Sequence, residues 1–178
     1  MNVLRQPSSR AILILALLLT VGLGRASLAQ SPALPAQLIS LAEAHAIIEG
    51  AIAYAREKNL RLGAVVLDAA GEMVAGEHMD GAPGRNIQFA EGKAFAAVKY
   101  RTTSQAMSEL YKTHPDRYFG IMNMYGNKIY LVGGGVPIAV DGKLIGAVGI
   151  AGTPDGQDEE AAKAGIAAWE KVRANLRK

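Results

Sequence analysis

The chain has 178 residues, with 19 Lys and Arg against 16 Asp and Glu and no cysteine. Without cysteine, disulfides, thiolate metal sites, iron–sulfur clusters and cysteine nucleophiles are excluded, and stability rests on packing. Three of the cations (Arg5, Arg10 and Arg25) fall within residues 1–29, which hold no acid; the rest of the chain is balanced at 16 and 16 and lacks the basic excess of a nucleic-acid footprint.

Residues 1–29 read as a cleavable export signal. Arg5 and Arg10 precede an apolar run from Ala11 to Leu23, and Ser27-Leu28-Ala29 places small residues where a peptidase cuts. The run is shorter than the roughly 20 residues of a membrane-spanning helix, so no stable membrane anchor is expected. The expected address is the periplasm or the extracellular space. Residues 30–38, rich in Pro, Ala and Ser, read as an extended lead-in, and residues 39–178 as a single domain.

Ser40-Leu41-Ala42-Glu43 is a capping box. It opens a helix with Leu41, Ala44, Ile48, Ala51, Ile52 and Ala55 on one face, ending near Asn59. Two strands follow, Arg61 to Asp68 and Glu72 to Met79, joined by a turn at Ala69-Ala70-Gly71. Asp80 to Gly84 forms a loop. A helical pattern runs from Ile87 to Tyr111, with a break at Thr102-Thr103-Ser104. His114-Pro115-Asp116 ends that segment. Three further strands are expected at Lys128 to Val132, Val136 to Val140 and Leu144 to Ala151. Asp141-Gly142 between the last two is a type I′ hairpin turn. Thr153-Pro154 starts a final helix to about Arg177, with Trp169 packed on the sheet. Hairpins between strands imply an antiparallel five-stranded sheet flanked by helices, an α+β domain.

Three histidines are candidate ligands. His45 lies on the flank of the first helix and could ligate a metal or haem iron, or stand as a boundary residue. His78 ends the second strand. His114 sits in a polar loop beside Arg117 and Tyr118. None has helical metal spacing to another, which argues against a preformed zinc site. Lys93, Arg101 and Arg117 could each meet an acidic ligand or belong to a solvated surface. Asp68, Asp80 and Asp141 stand beside glycines and fit turn closure. Gly133-Gly134-Gly135 lacks the following Lys-Ser/Thr and helix of a phosphate loop, and reads as a bend where backbone passes close to a ligand or another chain. Gly146, Gly149 and Gly152 thin the last strand so that a helix or a flat ligand can lie close. No nucleophile elbow is present.

Five blocks in order carry a resemblance: Val66 to Val74, Met79 to Pro83, Lys93-Ala94, Gly133 to Pro137 and Gly146 to Gly152. Together they resemble the GlcG/HbpS-type family of haem-binding or haem-degrading proteins, over about Ile39 to Trp169. The resemblance implies a profilin-like or PAS-like fold, homo-oligomers up to octamers, and, for exported members, haem as the ligand. It also implies slow haem degradation as an activity; whether the chain is an enzyme stays open. Other members accompany glycolate use or form the C-terminal domain of corrinoid adenosyltransferases. The alternative expectation is therefore action on a small hydroxy or oxo acid, anchored by Lys93, Arg101 or Arg117. For haem, His45, His78 and His114 are the candidate contacts, with His114 or His45 on iron and the three cations on the acid arms. Ala151 stands where the family usually has Ser.

Overall fold

The computed structural model describes residues 38–154 and 156–176. The export signal and all but the last residue of the lead-in lie outside the described residues. No described helix is long and apolar enough to cross a membrane. The elements are α1 (Leu41–Glu57), β1 (Gly63–Asp68), β2 (Met73–His78), α2 (Arg85–Tyr100), α3 (Ser104–Ser108), α4 (Leu110–Thr113), α5 (Pro115–Tyr125), a 3₁₀ turn (Gly126–Lys128), β3 (Gly135–Val140), β4 (Lys143–Ala151) and α6 (Gln157–Leu176).

The strands form one antiparallel sheet in the order β2-β1-β4-β3. Its two faces are covered by different helices. Ala64, Val66, Val148 and Ile150 pack with Ile47, Ile48 and Trp169 from α1 and α6. Val65, Leu67, Ala147 and Ala151 pack with Ala90, Ala94 and Ala97 from α2. The alternation follows the two-residue period of a strand. Because both faces are covered, β1 reads as a continuous apolar run, with its first five residues buried. A third cluster, Ala96, Met107, Ile129 and Leu131, ties the α3–α5 arm to α2.

Local chemistry accounts for several boundaries. The Ser40–Glu43 capping box closes in both directions. The Asp68 carboxylate accepts from the amides of Ala70, Gly71 and Glu72 at 2.8–3.0 Å, holding the first hairpin turn. Asp141 and Gly142 have φ of 50° and 74°, as a type I′ turn requires. Arg101, at φ 52°, breaks the helical pattern, and Thr103 caps α3.

Three expectations need correction. The sheet has four strands, because Lys128 to Val132 does not pair with it. That stretch lies against α2, the Tyr130 amide donating to the Gly92 carbonyl at 3.1 Å. A Cβ at Gly92 would meet Tyr130 Cβ at 2.8 Å, so this glycine permits the docking. Ile129 and Leu131 still point inward with strand periodicity, but their partner is a helix. Second, Pro115 does not simply end a helical segment; it stands in the first turn of α5, where its missing amide costs nothing. Third, the last helix begins at Gln157, and the Thr153 amide and hydroxyl both donate to Asp158 Oδ1 at 2.9 and 2.7 Å.

Candidate functional site

One row along α1, at spacings of three and four, carries the exposed Leu41, His45, Glu49 and Arg56 together with the buried Ile52. Beside it the edge strand β2 ends in Glu77 and His78, and the chain turns through Met79 and Asp80. Between them lies a cleft of about 360 Å³, lined by Ile52, Arg56, Arg61, Glu77, His78, Met79 and Asp80.

His45 and Glu77 join the helix to the strand. His45 Nδ1 stands 2.9 Å from Glu77 Oε1, with the two side chains 46% and 41% exposed. A carboxylate only accepts, so the imidazole donates from Nδ1 and the lone pair remains on Nε2. A carboxylate behind a histidine in this way fixes the orientation of the ring, the usual support for a metal-ligating imidazole. His78 directs Nδ1 to the Met79 carbonyl at 3.2 Å. The described residues contain no group of three His, Asp or Glu side chains placed to hold a bare metal ion. A porphyrin brings four nitrogens of its own and needs only an axial donor, so the single imidazole of His45 fits a haem iron better than it fits a free cation.

The structure places His78 in the cleft lining and sets His45 beside it through Glu77, and it places the other candidates elsewhere. His114 is exposed at the junction of α4 and α5, its amide donating to Leu110 O at 2.7 Å. Arg117 is exposed on α5 and Arg101 is exposed where α2 ends. Arg61 and the start of α2 meet at Gly152, where an added Cβ would strike both the Asn86 side chain and the Arg61 carbonyl. Arg101, at the far end of α2 from Asn86, does not line the cleft. Lys93 is buried at 3% exposure and donates to Asp158 Oδ2 at 2.5 Å and Ile150 O at 3.0 Å. It ties α2 to β4 and α6.

The glycine blocks also acquire partners. A Cβ at Gly135 would collide with the Lys93 carbonyl, and one at Gly149 with the Ala90 carbonyl. In both cases the close neighbour is α2. Where α2 meets the arm, burial holds the Tyr100 hydroxyl above its ordinary pKa, with Tyr125 adding to the rise.

Sequence reasoning missed Arg56, Arg61 and Glu77. The helical spacing from His45 to Arg56 was a usable signal. The Glu77 contact spans 32 positions and had none.

A three-layer α+β domain, with helices on both faces of a four-stranded antiparallel sheet, is the class of protein this chain represents. It belongs to the HbpS-like family, described as haem-degrading proteins, whose model matches residues 39–167. A 15.0 kDa protein of the dhaT-dhaS intergenic region of Citrobacter freundii is 27% identical over 134 residues, 75% of this chain and 94% of that protein. Corrinoid adenosyltransferase PduO of Citrobacter freundii is 28% identical over 75% of this chain, which spans only 40% of the PduO length. The crystal structure of a PduOC:heme complex superposes with a TM-score of 0.68 at 27% identity, covering 74% of this chain and 94% of that one.

Proposed function

We propose that the chain is an exported haem-binding protein that takes haem at the α1–β2 cleft, with His45 Nε2 as the axial ligand. The observation that carries this reading is the 2.9 Å His45–Glu77 pair, which leaves a supported imidazole nitrogen free beside the cleft. Leu41, one turn from His45 on the same helical row, supplies exposed apolar surface, and the buried Ile52, two turns away, contributes an apolar edge to the cleft. Leu41 is 56% exposed, a placement that gains from a flat apolar ligand. Family membership and the haem-bound PduOC relative support the ligand class. The leader-like residues 1–29 support export, and slow degradation of the bound ring is part of the same reading. Bound iron would supply the redox chemistry; this chain's own share is to ligate and orient.

Assembly into a homo-oligomer belongs to this reading too. It is supported by Tyr111, Phe119 and Met124, which stand 59%, 58% and 77% exposed on the α4–α5 arm.

The test is a hemin titration of the mature protein followed at the Soret band. A saturable shift is expected for wild type and for His114→Ala, and loss of it in His45→Ala. Equal binding by His45→Ala would overturn His45 as the ligand, and no shift in wild type would overturn haem binding.

A further inference from the structure

We infer that Arg56 and Arg61 form a carboxylate clamp that makes the cleft selective for a ring bearing free acid groups; this rests on the haem reading above. Arg56 lies in the last turn of α1 and Arg61 just before β1, and both are exposed on the cleft. Their charges are unspent. The Arg56 guanidinium makes no hydrogen bond or ion pair among the described residues. Arg61 donates through Nη1 to the Leu60 carbonyl at 3.0 Å, and its remaining donors have no described partner. The acids of the same cleft do not neutralise them: Glu77 is paired with His45, and Asp80 pairs with neither arginine.

Guanidinium is a planar fork of donors that matches a carboxylate two bonds at a time, which a lysine ammonium does not do. Two such forks on one cleft are a site for a dicarboxylate. Their placement relative to His45 also fits a tetrapyrrole, whose acid arms hang from one edge of the ring, away from the metal. Arg56 is eleven residues beyond His45, roughly 16 Å along the helix axis. Side chains on a helix lean toward its N-terminus, so the Arg56 fork reaches back toward His45 and shortens that gap. The clamp uses neither Lys93, Arg101 nor Arg117, none of which lines the cleft.

The experiment compares hemin with hemin dimethyl ester in Soret titrations of wild type, Arg56→Gln, Arg61→Gln, the double variant, and Arg101→Gln as a control away from the cleft. All three substituted positions are exposed, so each of the four variants is expected to fold. The expected result is roughly tenfold weaker hemin binding for each single cleft variant, in line with loss of a charge-assisted pair. The double variant should bind hemin and its ester alike, wild type should strongly prefer hemin, and Arg101→Gln should match wild type. Hemin binding through His45 that is unchanged in the double variant, or an ester that binds wild type as well as hemin does, would overturn the clamp alone. Absence of any hemin binding in wild type would remove the haem reading and the clamp together.

Discussion

His45 and Glu77 show how little of a site can rest in one side chain. An exposed histidine on a helix flank is common; what distinguishes this one is a carboxylate brought to it by the edge strand. Glu77→Gln is expected to weaken hemin affinity by about 10–100-fold, the usual cost of losing a supporting carboxylate, while leaving the Soret position of the saturated complex unchanged. An isothermal or optical titration reads this directly. Tyr100 offers a second test at this scale. Its hydroxyl is held above the ordinary value by burial and by Tyr125. A raised pKa means that the folded state keeps its proton longer, so the contribution is complete below about pH 10 and lost as pH rises through the folded value. Thermal melts across alkaline pH should fall less steeply for Tyr100→Phe than for wild type. Of these residues the sequence disclosed His45 by its rarity and position, but not Glu77, because a contact between two elements is not written in either element's own periodicity.

Between elements, the packing of α2 decides most of the architecture. Gly135 and Gly149 bring β3 and β4 against the Lys93 and Ala90 carbonyls of that helix. Gly149→Ala should therefore push helix from sheet and destabilise the fold by about 1–3 kcal/mol or more, visible as a lower Tm. Lys93 and Asp158 lock α2 to α6 in a buried pair. Lys93→Met leaves the Asp158 charge unpaired and should cost about 3–5 kcal/mol, and the Lys93→Met, Asp158→Leu double variant should lose less than the sum of the two singles. Chemical denaturation of the four proteins completes the cycle. Capping boxes, the Asp68 turn and the Asp141-Gly142 hairpin were legible in the sequence because each is set by residues within four positions of one another. The Lys128 to Val132 segment was not, since Ile129 and Leu131 alternate as a strand would. Only the three-dimensional neighbourhood of Gly92 shows that their partner is a helix. Pro115 does end the preceding helical segment as expected, but that it also opens α5 was not legible, since proline marks a helix start as readily as a helix end.

For the molecule as a whole, the family and the α+β class agree with what the ordered glycine blocks implied, with one strand fewer. The apolar side chains left exposed on α4 and α5 predict that the protein is larger than a monomer by light scattering. Phe119→Lys together with Met124→Lys should lower that mass without unfolding the domain, because neither residue is buried. The charge balance left after residues 1–29 argues that its ligand is a small molecule rather than a nucleic acid. That places the central claim back on the imidazole at the cleft. The most direct measurement is the spectrum of hemin bound to His45→Gly, recorded with and without added imidazole. The account predicts a displaced or absent Soret band that free imidazole restores to the wild-type position. A wild-type spectrum in His45→Gly without imidazole would contradict it.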